Sequence, residues 1–399
     1  MKNSNKPLHV KLAALQFLQH LVWGSWFVTG GSYMSEVLGF TGREVGMVYG
    51  STAIAASFSP FFIGTIADKY FSSEKVLMLL HFIGGCLLLT LPYLDTYILF
   101  YPVMLLYLLT YLPTFSLAHG LCFYHLEDTK KDFPVIRVWG TVAWIGIGFI
   151  ISFAQIETSS AMFQIAGVSA WVTCIFCYFL PSTPPQMNRD SSWWQALKGP
   201  KMKALRKDRS LLVLLICVGL ICIPSAYYYS FVNLFLLEFG AVYPTAKMSL
   251  GQMTEIVIML LLPFMLARWR LKYIIWIGLL VWGIRYGLFA LGQATSTEFW
   301  IWIGLLLHGI AYVCSTLTSQ IYLDTRVPPE LRNTAQGFFT LLTQGSGVLI
   351  GSLIAGNMVQ YFAYANGEHD WINIWMFPFI FGVGVAILFW LTFKSKRHS

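Results

Sequence analysis

Apolar runs of about 20 residues recur along the whole of this 399-residue chain, and they limit its fold more than any other feature. Coiled as a helix, such a run crosses a hydrocarbon core of about 30 Å. The runs are continuous rather than alternating, which predicts helices and not the strands of a barrel. Composition agrees: 57% of the residues are hydrophobic and 11% charged, with a mean hydropathy of +0.64. A soluble domain carries about 25% charged residues. The chain is therefore expected to be an all-α polytopic membrane protein.

Twelve spans are predicted, at 9–33, 43–67, 74–94, 97–120, 133–154, 160–181, 210–237, 245–267, 272–293, 297–322, 332–360 and 370–393. The first is too long, and too rich in Trp and Gln, for a cleavable signal peptide, and none is expected. One long polar connection, rich in Pro, Lys and Arg, separates the sixth span from the seventh. It divides the chain into a six-helix bundle at 1–181, a cytoplasmic linker at 182–209 and a second six-helix bundle at 210–399. All but four of the 26 Lys and Arg residues fall on one side if both termini are cytoplasmic; the four are Arg43, Lys247, Arg137 and Arg285. This is the charge bias that orients helical membrane proteins. The net charge of +8 is thus a topology signal, and no basic soluble domain exists to bind nucleic acid.

Six plus six spans around a basic loop resemble the major facilitator superfamily. Gly64-Thr-Ile-Ala-Asp68-Lys69 resembles the first half of that superfamily's signature loop, while 70–75 lacks the usual glycine and paired basic residues. Pro60-Phe61 and Pro263-Phe264 are a faint internal repeat, each followed by basic loop residues. The resemblance implies two halves that rock around a central site near the midplane.

Ionisable residues inside spans are costly and mark function by default. Arg137 falls about one turn inside an apolar segment that follows Pro134. Its guanidinium keeps its charge, at about 2.5–3.5 kcal/mol or more in hydrocarbon, so it needs a wet cavity or a buried partner. Thr141 and Trp144 lie four and seven residues on and share its helix face. That face offers a forked donor, a hydroxyl and an aromatic plane, a surface suited to a polar, ring-containing solute. Of 18 acidic residues only Glu255 lies deep in a span, with Gln252 on the same face. A carboxyl there can gain and lose a proton across a transport cycle. The alternative is that Glu255 only pairs with Arg137 or Arg285 to hold the halves together.

Other polar residues in spans are weaker candidates. Arg285 either braces span nine, snorkels, or joins the site. His308 and Tyr312 are four apart in span ten, and Thr316 and Gln320 continue their stripe. Gln19 and Trp23 form a polar-aromatic face with Gln16. Tyr229 is the tyrosine of the Tyr227–Tyr229 run expected to face the cavity, in a helix expected to kink at Pro224. His119 and His125 read as interfacial, and the Gly347-x-x-x-Gly351 pair as packing. The seven cysteines, Cys174-x-x-Cys177 included, imply neither disulfides nor a metal site. No His-Glu-x-x-His, Gly-x-Ser-x-Gly or nucleotide loop is present, so an enzyme is not expected, and no cofactor is called for.

Beyond the superfamily loop, the sequence resembles the nucleoside:proton symporters. The likeness is carried by Phe17-Leu-Gln19, Trp23-Gly-Ser-Trp26, Gly31-Ser-Tyr-Met34, Ala67-Asp-Lys69, Tyr111-Leu-Pro-Thr114, Phe133-Pro with Ile136-Arg137, Trp139-Gly-Thr141 and Ala335-Gln-Gly337. The resemblance implies proton-driven uptake of purine and pyrimidine nucleosides across a bacterial inner membrane, by a monomer. It assigns Arg137, Thr141, Gln252, Glu255 and Tyr312 to the site by position. Trp144 stands where the family uses another aromatic, and His308 where it has a tyrosine. Two departures stand out: Val313 replaces an expected aspartate, and Ala226 and Tyr229 replace amide side chains. A sugar:proton symporter of the same superfamily, or a nutrient sensor with this fold, are the competing readings.

Overall fold

The computed structural model describes residues 6–184, 208–327 and 332–394. The basic residues expected in the linker, Arg189 to Lys207, lie outside them, as do the side chains of the Gly64–Lys69 loop motif. Helices occupy every predicted span. They are α1 (Lys6–Gly24), α2 (Gly30–Glu36), α3 (Gly42–Lys69), α4 (Ser73–Thr90), α5 (Tyr97–His125), α6 (Thr129–Phe153), α7 (Ala161–Cys177), α8 (Arg209–Glu238), α9 (Pro244–Arg268) and α10 (Leu271–Thr295). Three short helices, α11 (Glu298–Leu306), α12 (His308–Tyr312) and α13 (Thr318–Arg326), make up the tenth span. The eleventh is α14 (Arg332–Thr340) with α15 (Val348–Tyr361), and the twelfth is α16 (Trp371–Thr392). Among the described residues nine helices are long and apolar enough to cross a bilayer. The other spans are the interrupted first one, the more polar α3 and the 17-residue α7. In α3 the hydroxyls of Ser51, Thr52, Ser57 and Ser59 each bond back to a carbonyl of their own helix, so these four need no partner outside it.

The acidic residues that sequence reading placed at span ends have a job there. Asp128, Asp208 and Asp370 cap α6, α8 and α16, each accepting from backbone N–H groups of the first turn. By contacts the chain divides into two compact units, Met1–Asn188 with Tyr243–Ser249, and Arg189–Val242 with Leu250–Ser399. In the first unit Leu12, Leu15, Leu77, Leu121 and Cys177 share one core. In the second, Phe235, Tyr286, Phe289, Trp371 and Trp375 form an aromatic core.

Lipid tails are as apolar as leucine, so helix pairs in a membrane are held by close packing at small residues. A Cβ on Gly140 of α6 would lie 2.6 Å from the His20 ring on α1. One on Gly309 would lie 2.3 Å from the backbone of Thr254 on α9. Gly347 and Gly351 press on Cys222 and Ala226 of α8, the packing role read from their spacing. α8 runs as one helix from Arg209 to Glu238 through Pro224, and the Tyr286 hydroxyl donates to the Pro224 carbonyl.

Two spans are interrupted instead. In the first, the Tyr49 hydroxyl sits between Gly31 N–H and the Phe27 carbonyl, accepting at 3.0 Å from one and donating at 2.7 Å to the other. Those two groups would otherwise bond to each other in an unbroken helix, so the hydroxyl is a wedge in the ladder. In the tenth span the break falls at Leu307, and Gly309 N–H donates to Thr254 Oγ1 at 3.0 Å. A π-helical turn, Val313–Leu317, follows directly. It takes in Thr316, while Gln320 lies beyond it on α13, so the expected stripe of His308, Tyr312, Thr316 and Gln320 crosses a change of helical pitch.

Candidate functional site

In the first unit, α6 presents Arg137, Thr141 and Trp144, all three half-buried. The Asp128 cap fixes where α6 starts, and so how far Arg137 lies along it. His20 and His119 both lie within electrostatic reach of Arg137. His20 gets there because Gly140 has no side chain, and its Nδ1 is 2.8 Å from the Gln16 carbonyl. His119 was expected at the interface, yet it is half-buried, edge-on to Phe133 at 5.3 Å. His20 escaped sequence reading altogether, although it follows Gln16 by one helical turn.

An aromatic ladder runs away from Arg137. Trp144 meets Phe27 edge-on at 6.1 Å, Phe27 stacks on Trp23 at 4.4 Å, and Trp23 lies parallel to Tyr111 at 5.4 Å. Gln19 lies beneath it, fully buried. Its side-chain amide donates to Thr114 Oγ1 at 3.0 Å, and its backbone carbonyl accepts from the Tyr111 hydroxyl. Gln19 thus holds the ladder in place, while Trp23 is half-buried within it. A separate groove of about 540 Å³ between the first turns of α1 and α6 is apolar apart from His9 and Asp132. It contains none of the residues predicted for the site.

In the second unit, Gln252 and Glu255 lie on α9 where it crosses α12. Gly251 sits against the Leu305 carbonyl and Gly309 against the backbone of Thr254 and Glu255, so α9 runs at close range past His308 and Tyr312. Gln252 is buried and its Oε1 has no hydrogen-bond partner among the described residues. Glu255 is half-buried. Tyr229 lies within electrostatic reach of Glu255, Tyr312 and Arg285, and is half-buried where Tyr227 and Tyr228 are fully buried. Of the three tyrosines only Tyr229 is not fully buried.

His308 is the hub of this side. It stacks on Tyr228 at 4.8 Å, lies parallel to Tyr312 at 6.4 Å and meets Tyr229 edge-on at 6.2 Å. Arg285, left open by the sequence, neither snorkels nor reaches water. It is 0% exposed. Its Nε donates to the Gly304 carbonyl at 2.7 Å, its Nη1 lies 3.2 Å from His308 Nδ1, and its guanidinium covers the Tyr228 ring at 4.4 Å. The signal for it in the sequence was a lone cation in an apolar span. What no spacing could give was its partner, 23 residues away. Val313 is fully buried in an apolar cluster with Leu262, Ile274 and Cys314, so the position of the expected aspartate belongs here to the core. No group of three His, Cys, Asp or Glu side chains able to hold a metal occurs among the described residues.

Arg137 is half-buried in one unit and Glu255 in the other, within a bundle of apolar helices whose fold is that of the major facilitator transporters. The comparisons carry this further. A family model described as "Nucleoside H+ symporter" matches residues 7–398. The putative nucleoside transporter YegT of Escherichia coli K12 is 36% identical over 98% of this chain and 94% of its own length. The xanthosine permease of the same strain is 30% identical, over 97% of this chain and 96% of its own. The crystal structure of the nucleoside transporter NupG, 30% identical, superposes with a TM-score of 0.88 over 98% of this chain and 100% of that one. The chain belongs to the nucleoside:proton symporter family. It is a multi-pass membrane transporter that imports nucleosides with protons, and not an enzyme.

Proposed function

We propose that this symporter takes both purine and pyrimidine nucleosides by alternating access, with Glu255 as the proton carrier. The observation that carries the reading is Glu255 itself: the one acidic residue deep in a span, half-buried and pressed by Gly309 against the helix of His308 and Tyr312. In the first unit Arg137 orients the solute, Thr141 bonds a hydroxyl and Trp144 gives the base a stacking face. In the second, Gln252 and Glu255 take ribose hydroxyls, and Tyr229, Tyr312 and His308 shape the base side. Stacking of a base on one ring contributes about 1–3 kcal/mol. Gln19 and Trp23 act through the ladder that supports Trp144. The halves 1–181 and 210–399 are the moving bodies, joined by the linker at 182–209. The protein works as a monomer in the bacterial inner membrane with both termini cytoplasmic, the orientation favoured by its Lys and Arg distribution.

The test is Glu255→Gln in proteoliposomes. The variant is expected to exchange uridine across the membrane while failing to concentrate it under a proton gradient. Accumulation by that variant at the rate of the unsubstituted protein would remove Glu255 from coupling. Competition of uptake by sugars and not by nucleosides would favour the sugar symporter, and binding without flux a sensor.

A further inference from the structure

We propose that Arg285 is a positioning residue that holds His308 as a neutral imidazole with its proton on Nε2, so that His308 reads a hydrogen-bond acceptor on the transported nucleoside and does not carry the coupled proton. This rests on the nucleoside-binding role proposed above for His308.

The argument is one of donors and acceptors. A guanidinium has five N–H donors and no acceptor, and it does not deprotonate in proteins. Arg285 Nη1 lies 3.2 Å from His308 Nδ1. Of these two nitrogens only Nδ1 can accept, so it carries the lone pair and the ring proton resides on Nε2. Protonating Nδ1 would set two N–H groups head to head beside a fixed cation. The guanidinium cannot swing away to make room. Its Nε is bonded to the Gly304 carbonyl at 2.7 Å, and its plane is packed over Tyr228 at 4.4 Å and Trp282 at 5.0 Å. Every polar partner the structure gives it is neutral, and its Nη2 is buried without one among the described residues. The imidazole is held as firmly, 1% exposed and ringed by Tyr228, Tyr229, Tyr312 and Trp282.

A neutral ring fixed in this way offers a donor on Nε2 and nothing else. The matching group on a solute is an uncharged acceptor, a carbonyl oxygen or ring nitrogen of the base. Proton uptake is then left to the carboxyl of Glu255, which shares this side of the unit through Tyr229. The arrangement separates reading from coupling: one residue recognises the base and another moves the proton.

The experiment uses the full chain in nanodiscs, labelled with nitrogen-15 histidine, with the His308 signals assigned by their loss in His308→Gln. The ring is expected neutral at pH 7 with its proton on Nε2. A proton on Nδ1, or on both nitrogens, overturns the proposal. Arg285→Met is expected to release the ring to a mixture of tautomers and to weaken uridine and adenosine binding about three- to tenfold, the worth of one neutral hydrogen bond. Proton-driven accumulation should persist, and Arg285→Lys should restore most of the affinity. An Arg285→Met protein with the native tautomer and native affinity overturns the proposal as well. If that variant does not fold, the spectrum of the unsubstituted protein decides alone. Absence of nucleoside binding in the unsubstituted protein would end the proposed site roles without touching the tautomer, so the two failures are distinct.

Discussion

The two units place their cations differently. In the first, Arg137 is half-buried on the face of α6, with Thr141 and Trp144 beside it and two histidines in reach. In the second, Arg285 is wholly enclosed and is held by a carbonyl, an imidazole and two aromatic faces. The carboxyl of Glu255, on α9 of the same unit, is half-buried. Sequence position alone makes Arg137 and Arg285 alike, single cations in apolar spans. Their surroundings give one the capacity to meet a solute and the other the capacity only to orient a neighbour.

The units are alike in another respect. Each interrupts a span with a hydroxyl from another helix, Tyr49 in the first and Thr254 in the second. Each also presses two helices together at a glycine beside its candidate residues. The neighbours of those glycines differ. A Cβ at 309 would meet backbone, whereas one at 140 would meet the ring of a side chain that can rotate.

The sharpest test of the contrast between the cations is Arg137→Ala. Loss of charged hydrogen bonds of about 1.5–3 kcal/mol each predicts a drop in uridine affinity of tenfold or more, read by isothermal titration of purified protein. Unchanged affinity would erase the distinction and take Arg137 out of the site. Next in size is the glycine pair. Gly309→Ala is expected to cost about 1–3 kcal/mol by overpacking against backbone, and Gly140→Ala less, because the His20 ring can give way. Thermal unfolding in detergent should rank them in that order; the reverse order would mean that α9 yields more easily than His20. The last comparison, of similar size, is between the two wedges. Tyr49→Phe leaves both Gly31 N–H and the Phe27 carbonyl without their partner, whereas Thr254→Val leaves Gly309 N–H, the Gly251 carbonyl that the threonine also bonds lying within its own helix, so at about 1–3 kcal/mol per group the Tyr49 loss should be the larger. Equal shifts in midpoint temperature would argue that the first span closes its own ladder once the hydroxyl is gone.

Most of the fold was legible in the sequence, because a bilayer leaves a chain few options. Continuous apolar runs must be helices, and basic loops must sort to one side. The faces bearing Arg137 with Thr141 and Trp144, and Gln252 with Glu255, were legible too, since residues three, four and seven apart share a helix side. The breaks were not. Nothing in the residues 24–31 says that a tyrosine from another helix will enter their hydrogen-bond ladder. Pro224, which does announce itself, leaves its helix unbroken. The π turn at Val313–Leu317, where Gly278 packs against Ser315, was not legible either.

What the sequence determined by itself was the solvent of this protein, where along the chain its helices fall, and which few ionisable side chains had to be accounted for inside them. Those follow from transfer energies and from helical periodicity, which are local. Only the tertiary structure decided what each buried charge faces: that Arg285 faces a histidine, that Gln19 is tied up in holding an aromatic ladder, and that Val313 is core. These depend on contacts between residues tens of positions apart, where a single glycine sets how closely two helices approach.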